Sequence, residues 1–319
     1  PQLRVSDLSR ANAGLLDGLL REQSAEWAEK LRWDYAGASD LLKDIFKDGG
    51  LPGLIVTAGD QPVAFAFYVI EAPRCSIGDI YVSPRWRSCG ADAMIVESIM
   101  SKVEALPRVR RVECQSVNFG NSAADRSFVS LGFNRFERNF MLAQVGDISP
   151  GAVEQSSSAF NAGFSVRSWS DLDFNRAAKV IQRSYRLEDD RKINSQYASE
   201  EGCADLLSIL TETIWCGQFL PRVSKLVVNR RGGAAVGIAI VSRIFDGTGH
   251  VGQISVLPEY QGRGAGRALI GSVAAELSEI GFTHLSLAVT ASNERAAALY
   301  QSCGFKTIQS FPVYYRQRA

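Results

Sequence analysis

The sequence predicts an α/β (α+β) protein made of two similar halves in tandem. The same order of predicted helices and strands occurs twice along the 319 residues, and a stretch of small and polar residues separates the two copies. Residues 254–258 (Ile-Ser-Val-Leu-Pro) mirror residues 80–84 (Ile-Tyr-Val-Ser-Pro), and residues 293–305 mirror residues 121–133, at offsets of 174 and 172 positions. A repeat of this length indicates that a whole fold was duplicated.

In the first half, apolar periodicity and turn residues define the elements. The predicted order is a strand, two helices, three strands, a helix, a strand, a short helix and two strands. Gly59 with Asp60, and Pro73 with Arg74, mark the turns between the three consecutive strands. The predicted ranges are 3–5, 10–30, 38–46, 54–58, 63–70, 76–82, 91–104, 111–117, a helix after Asn121, and two strands that reach about residue 145.

A linker and a second copy of this order follow. Residues 147–162 are rich in glycine, serine and alanine and have no period, which is typical of a linker. The predicted domains are therefore 1–146 and 163–319. The second half has predicted strands at 164–167, 225–228, 236–244, 251–257, 284–290, 307–310 and 313–316, and helices at 172–185, 200–215, beyond Gly266 and at 293–302.

The most informative stretch is the glycine-rich turn at residues 261–266, Gln-Gly-Arg-Gly-Ala-Gly, between a predicted strand and a predicted helix. Apolar residues recur along that helix at positions 269, 270, 273, 274, 277 and 280. The free N–H groups of a helix's first turn and its dipole attract a phosphate, and glycines let the backbone approach it. A Walker loop would end in Gly-Lys-Ser/Thr, and a dinucleotide fingerprint would need an acidic residue after the next strand, whereas Glu279 lies inside the helix.

This turn resembles the Q/R-x-x-G-x-G/A signature of the GNAT N-acetyltransferase superfamily, and the repeated order of elements extends the resemblance over nearly the whole chain. The resemblance implies two tandem GNAT folds, each a mixed, mostly antiparallel central sheet flanked by helices. It also implies that the loop holds the pyrophosphate of acetyl-coenzyme A (acetyl-CoA). The loop residues implied to bind this co-substrate are Gln261, Gly262, Arg263, Gly264, Ala265, Gly266 and Arg267.

The resemblance assigns further contacts outside the loop. The strand that contains Ile254, Ser255 and Val256 is expected to splay from the strand at 284–290, so that its backbone binds the pantetheine arm like an added strand. Asn293 is an N-cap by position, and an asparagine there also contacts the coenzyme in the family.

Tyr300 is the residue expected to stabilise the leaving group. In the family a tyrosine at this place often reaches the coenzyme sulfur, and a phenol with a pKa of about 10 can donate a hydrogen bond or a proton to the leaving thiolate, whose thiol has a pKa of about 8.5. The alternative is a tyrosine that only packs in the core.

The base that deprotonates the acceptor is less clearly marked. Some family members have a glutamate eleven residues before the loop, and His250 stands at that position here. Imidazole is a suitable base near neutral pH, although a histidine after Gly247 and Gly249 can also be a solvated turn residue.

The first half departs from the signature. Ser88, Cys89 and Asp92 replace three loop residues, and Phe128 replaces the tyrosine. A carboxylate at position 92 would repel a pyrophosphate by on the order of 4 kcal/mol per charge pair. The first domain is therefore predicted to be a degenerate copy, and Asp92 can instead favour the dipole of its own helix.

The acceptor is expected beside the segment 185–197. Its residues 188–192, Glu-Asp-Asp-Arg-Lys, can attract a cationic amine or can simply form a solvated charged surface.

Composition excludes several classes of protein. A net charge of +1 predicts neither nucleic acid nor an anionic membrane as a partner, and no apolar run is long enough to span a bilayer. The chain starts without a signal-peptide pattern, and its six cysteines are scattered without a Cys-x-x-Cys pair. Because the chain has only two histidines and no Cys-x-x-Cys pair, we expect no metal site. The scattered cysteines predict a cytoplasmic protein in which they are reduced.

These observations predict an N-acetyltransferase whose second domain moves an acetyl group directly from acetyl-CoA to a primary amine of a small molecule or peptide. The partners are then acetyl-CoA and the amine, with a homodimer left open. Three alternatives remain at this point: a mycothiol-synthase-like acetyltransferase, a binding module that senses acyl-CoA without turnover, and a structural pseudo-enzyme. Intact glycines in the second loop speak against the last.

Overall fold

The computed structural model describes residues 2–8, 13–117, 122–148, 162–185 and 189–318. Asn121, Glu188 and residues 149–161 of the predicted linker lie outside these ranges. The chain divides into two compact units: unit 1 comprises Pro1–Arg138 and Phe311–Ala319, and unit 2 comprises Asn139–Ser310.

Unit 1 is a sheet covered by helices. Its strands follow the order β1-β2-β3-β4-β5, and all neighbours are antiparallel except the parallel pair β4 and β5. The strands are β1 (Leu3–Asp7), β2 (Gly53–Ala58), β3 (Gln61–Glu71), β4 (Arg74–Val82), β5 (Arg111–Cys114) and the start of β6 (Asn134–Gln144). The α-helices are Leu16–Leu31, Ala36–Asp48, Ala91–Glu104 and Ser122–Ser130.

Unit 2 repeats this order of strands and helices. Strand β11 is antiparallel to β10 and parallel to β12, which matches the mixed sheet that was predicted. The strands are β7 (Phe164–Ser168), β8 (Gln218–Phe219), β9 (Lys225–Asn229), β10 (Ala235–Phe245), β11 (Thr248–Val256), β12 (His284–Thr290) and the start of β13 (Lys306–Gln317). The α-helices are Phe174–Ser184, Asp190–Ile193, Glu200–Glu212, Ala265–Glu279 and Glu294–Ser302.

The last strand differs from the prediction. Two strands were expected after residue 306, but β13 is continuous through Pro312, because proline's fixed φ is compatible with an extended strand. From Phe311 onward β13 belongs to unit 1, where Tyr314 pairs with Cys114. Likewise, the two strands predicted to close the first half are one strand, β6. The predicted domain boundaries did not anticipate these assignments, and the two-domain division by sequence stays a prediction.

The feature that positions the site is an open strand edge in unit 2. Strand β11 pairs with β12 only from Thr248 to Val251. A β-bulge at Gly252 follows at once, since Ile240 opposes Gln253 while Val241 opposes Val251. Because a bulge bends a strand, the remainder of β11 diverges from β12 and does not pair with it. The predicted splay of these two strands is confirmed.

The helix Ala265–Glu279 packs its predicted apolar face into the core of unit 2. Leu269, Ile270, Val273, Ala274 and Leu277 are buried among the sheet residues. Ile280, which the pattern had included, ends the helix as its C-cap and is 42% exposed. The helix therefore starts at the glycine loop and is held firmly behind it.

Candidate functional site

A cavity of about 860 Å³ opens in unit 2 between the glycine loop, the free edge of β11 and the helix Glu294–Ser302. A volume of this size suits a ligand as large as a coenzyme. Ten of the predicted site residues line it: Ile254, Ser255, Val256, Gln261, Gly262, Gly264, Gly266, Arg267, Asn293 and Tyr300. Arg263, Ala265 and His250 are not among its lining residues.

The glycine loop has the backbone that an anion site requires. Gly262 and Gly264 have φ values of +73° and +96°, which favour glycine, and Gly264 is the N-cap of the helix Ala265–Glu279. No side chain caps this helix, so its first-turn N–H groups remain available to a ligand. At Gly266 an added Cβ would lie 2.9 Å from Leu299 Cδ2, so the flexible end of that side chain would have to move to admit it.

Arginines surround the loop. Arg267 lines the cavity and its Nη2 donates to Ser302 Oγ at 2.6 Å. Arg295 also lines it, and its Nη1 donates to Gln261 Oε1 at 2.7 Å. The guanidinium of Arg263 lies 5.8 Å from the ring centre of Tyr260 instead. Arg295 was not predicted, because it belongs to a different helix and only the fold brings it to the loop.

The free edge of β11 presents backbone groups to the cavity. The Val256 carbonyl accepts a hydrogen bond from Gln261 Nε2 at 3.0 Å, and the Ile254 carbonyl accepts one from the Tyr185 hydroxyl at 3.2 Å. Because the N–H and C=O of one strand residue point to the same edge, the N–H groups of Ile254 and Val256 face the cavity as well. This edge can receive an extended ligand as an added strand.

Two tyrosines line the cavity, and they differ in their hydrogen bonds. The Tyr185 hydroxyl donates to the Ile254 carbonyl and accepts from Gln253 Nε2 at 3.1 Å. Within the described part of the chain, no hydrogen bond involves the Tyr300 hydroxyl. Burial, and then the charges of Tyr185 and Asp190, raise the pKa of Tyr300 above its ordinary value. Tyr300 is thus a protonated phenol whose hydroxyl donates to none of the residues that the structure describes.

Asn293 fulfils its predicted capping role. Its side-chain oxygen accepts from the Ala296 N–H at 3.1 Å at the start of the helix Glu294–Ser302. It also lines the cavity, as do Ser184, Tyr185 and Ser292. Tyr185 begins the segment 185–197 that was expected beside the acceptor, whereas no local pattern marks Ser184 and Ser292.

His250 lies inside the sheet of unit 2. It is 7% exposed in β11, its Nδ1 is 2.9 Å from Ser286 Oγ, and its ring stacks on Phe140. The turn-histidine alternative is therefore wrong. Burial lowers the pKa of His250 to about 4, so the imidazole is neutral at pH 7. Its position away from the cavity gives no support to the predicted base role.

In unit 1, buried side chains occupy the positions that correspond to Gly266 and Tyr300 of unit 2. Asp92 is 1% exposed, and its Oδ2 accepts from the Ala124 N–H at 2.7 Å, so it caps the helix Ser122–Ser130 rather than its own helix. Phe128 is fully buried and stacks on Tyr314, with ring centres 4.1 Å apart. The side chain that replaces Gly266 thus bridges two helices of unit 1.

Neither a metal site nor a membrane span is found in the described ranges. No group of three or more histidine, cysteine, aspartate or glutamate side chains there is arranged to hold a metal ion. No helix of those ranges is both long and apolar enough to cross a bilayer.

Comparison with known proteins identifies the class. Residues 191–305 match the model of the acetyltransferase (GNAT) family, a range that includes the loop, the open strand edge and Tyr300. This part of the chain belongs to the GNAT family, and the predicted resemblance is confirmed.

The chain is similar over short stretches to curated relatives. It is 45% identical over 62 residues to the ribosomal protein bS18 alanine N-acetyltransferase of Escherichia coli, covering 19% of this chain and 42% of that protein. It is 35% identical over 91 residues to the enzyme of the same name in Haemophilus influenzae, covering 28% of this chain and 59% of that one. The chain thus spans less than two thirds of either relative.

Solved structures show the fold over the full chain. A GCN5-related N-acetyltransferase from Sphaerobacter thermophilus matches with a TM-score of 0.69 at 20% identity, covering 99% of this chain and 95% of that one. A tandem GNAT protein from the clavulanic acid biosynthesis pathway matches with a TM-score of 0.62 at 14% identity, covering 99% and 98%. The predicted fold class, two tandem GNAT folds, is confirmed.

Proposed function

We propose that unit 2 transfers an acetyl group directly from acetyl-CoA to a primary amine of a small molecule or peptide. The observation that carries this proposal is the continuity of one cavity, which joins the glycine loop, the free edge of β11 and the Tyr300 hydroxyl. The glycine loop suits the pyrophosphate of acetyl-CoA, the free edge of β11 suits the pantetheine arm, and the Tyr300 hydroxyl suits the thioester sulfur.

The binding roles follow from the geometry of each group. First-turn N–H groups after Gly264 hold the pyrophosphate, and the arginines of the loop add charge around it. The backbone of Ile254 and Val256 binds the pantetheine amides. Asn293, which already caps its helix, adds a polar contact from the opposite wall.

The transfer needs few protein groups. When bound, acetyl-CoA supplies an activated thioester that the nitrogen lone pair of the amine attacks. The N–H groups of the open edge polarise the carbonyl, the C–S bond breaks, and Tyr300 donates a proton to the leaving sulfur. The acceptor attacks as the free amine, so an ammonium first releases one proton to water. The nitrogen loses a second proton as the amide forms, and this proton replaces the one that Tyr300 gives to the sulfur. Most of the acceleration comes from holding the two reactants together.

The names of the curated relatives indicate the first acceptor to test. Both act, by name, on an alanine of a ribosomal protein. A short alanine-initiated peptide is therefore the first peptide acceptor for this chain. A protein that only senses acyl-CoA would bind the thioester but release no thiol with any amine.

The test compares two substitutions at one position. Gly266→Ala and Gly266→Asp both place a Cβ against the flexible end of Leu299, but only the aspartate adds a charge beside the pyrophosphate. Acetyl-CoA affinity, measured by calorimetry, should fall moderately in the alanine variant. In the aspartate variant it should fall further, by about a hundredfold or more. Equal affinity of the two variants would contradict the assignment of the loop.

A further inference from the structure

Two hydroxyl groups at the open edge of β11 are held by one side chain that does not itself line the cavity. Gln253 Nε2 donates to the Tyr185 hydroxyl at 3.1 Å and to Ser255 Oγ at 2.8 Å. Its Oε1 accepts from the Tyr197 hydroxyl at 3.1 Å, which fixes the direction in which the amide points. Tyr185 and Ser255 line the cavity, whereas Gln253 and Tyr197 are not among its lining residues and support them from behind.

The hydroxyls that line the cavity differ in the use of their own protons. Tyr185 donates to the Ile254 carbonyl at 3.2 Å. Three other serines of the cavity wall each donate to an acceptor within the described protein: Ser184, Ser292 and Ser302. Ser255 Oγ accepts from Gln253, but it donates to none of the residues that the structure describes. Ser255 therefore combines a fixed position with a lone pair and a proton that a ligand can use.

The side chain of Ser255 lies on one particular face of the sheet. Val256 Cγ2 and Leu269 Cδ1 lie 3.3 and 3.4 Å from the point where Gly237 would carry a Cβ, so Val256 faces the helix that follows the glycine loop. Because successive side chains of a strand point to opposite faces, Ser255 points to the other face. Its partner Gln253, two residues earlier, points the same way.

Tyr300 reaches the cavity from the opposite side. Its neighbour Leu299 lies beside Gly266, at the start of the helix that follows the glycine loop, so the two helices pack on the same side of the sheet. A ligand held along the edge of β11 as an added strand has two faces. One of them is turned toward Tyr300 and the other toward Ser255, so a proton donor and a nucleophile can act on it without competing for space.

An amine that leaves water needs hydrogen-bond acceptors for its N–H groups. A neutral hydroxyl meets this need without favouring the ammonium form, which a carboxylate would do. We propose that Ser255 Oγ accepts a hydrogen bond from the acceptor amine on the face of the cavity opposite Tyr300, and that Gln253 is the positioning residue that holds this hydroxyl. The inference rests on the proposed function of the same cavity and adds a binding group and a side of approach for the acceptor.

The test uses Ser255→Ala, with Ser184→Ala as the matched control. Both remove one hydroxyl from the cavity wall, but the Ser184 hydroxyl donates to Val180 of its own helix at 2.7 Å. A thermal melt checks that the variants fold, and calorimetry checks that acetyl-CoA affinity stays within about twofold of wild type. An alanine-initiated peptide and spermidine are then titrated into protein saturated with coenzyme A, which has no acetyl group to transfer. Thiol release with acetyl-CoA gives KM and kcat separately.

We expect Ser255→Ala to raise the dissociation constant and the KM of the amine by about fivefold or more, because one hydrogen bond is lost. Ser184→Ala should stay within about twofold of wild type. Unchanged constants in Ser255→Ala, or an equal loss in both variants, would overturn the role of Ser255. Wild type that binds acetyl-CoA but neither amine would overturn it too. Absence of acetyl-CoA binding by the wild type would instead refute the proposed function itself.

A double variant tests the role of Gln253. If Gln253 acts through Ser255, adding Gln253→Leu to Ser255→Ala should weaken amine binding little beyond the effect of Ser255→Ala alone. The single variant Gln253→Leu should weaken it in the same direction, but by less than Ser255→Ala. Two losses that multiply in the double variant would show independent roles and contradict the positioning role.

Discussion

At the scale of residues, the hydrogen bonds of the two cavity tyrosines decide which hydroxyl can donate a proton to the leaving sulfur. Tyr185 and Tyr300 both line the cavity, but the Tyr185 proton is used by the Ile254 carbonyl. The pKa of Tyr300 is raised, chiefly by burial, so the phenol keeps its proton at neutral pH. Tyr300 is the phenol that can donate without first breaking a bond within the described protein.

The first prediction follows from this difference. Replacing Tyr300 with phenylalanine should lower kcat by about a hundredfold and leave the dissociation constant of acetyl-CoA nearly unchanged, because general-acid catalysis contributes about that much. The measurement is steady-state thiol release together with calorimetry. Tyr185→Phe is the comparison, and its kcat should fall less. A Tyr300→Phe variant with wild-type kcat would return this side chain to a packing role.

His250 supports a second prediction, which concerns stability. Burial lowers its pKa from 6.5 to about 4, so the unfolded chain binds more protons than the folded one between those pH values. His250 therefore stabilises the fold above about pH 6.5, and this contribution is lost as the pH falls toward 4. By urea denaturation, the loss between about pH 7.5 and pH 5 should be roughly 2 kcal/mol.

The control replaces this histidine. His250→Gln should flatten the pH dependence, even if the loss of stacking on Phe140 lowers stability at every pH. If the variant keeps the wild-type slope, the pH dependence has another origin.

At the scale of elements, the two loop-and-helix segments show how the copies diverged. In unit 2, Gly264 and Gly266 leave the helix start uncapped and open to a ligand. In unit 1, Gly90 keeps its left-handed conformation, with φ at +81°, while Asp92 reaches across to cap the helix Ser122–Ser130. The same backbone turn therefore leaves a helix start open to the cavity in one copy and supports helix packing in the other.

The third prediction tests this bridge. Replacing Asp92 with alanine removes the acceptor for the Ala124 N–H and should destabilise the start of that helix by about 1 kcal/mol. Hydrogen exchange of the peptide covering 122–130 measures the effect. Asp92→Asn, which retains an acceptor oxygen, should lose much less. Unchanged protection in the alanine variant would show that the cap contributes nothing.

Elements that depend on local signals could be predicted from the sequence. The helix Ala91–Glu104 and the strand β12 have the predicted bounds. The glycine turn could be predicted because its positive φ angles require glycine at particular positions of the turn itself. The short helix Asp190–Ile193 and the two-residue strand β8 carry too little periodicity to be detected. Their existence depends on packing against distant residues.

At the scale of the whole molecule, duplication was visible from the sequence, but the distribution of the last strand was not. The offset between the copies fixed the equivalence of β4 and β11, and each has a glycine at its bulge, Gly78 and Gly252. In contrast, the pairing of Tyr314 with Cys114 joins residues 200 positions apart, and no sequence pattern specifies such a contact. For the same reason Arg295 and Ser292 were missing from the predicted site.

The central claim is that the cavity of unit 2, and not its counterpart in unit 1, holds acetyl-CoA. Hydrogen–deuterium exchange of the full chain with and without acetyl-CoA tests it most directly. We expect new protection in peptides that cover Ile254–Val256 and Gly262–Arg267, and none in peptides that cover Asp79–Asp92. Protection in the unit 1 peptides, or none in either set at a saturating concentration, would contradict it.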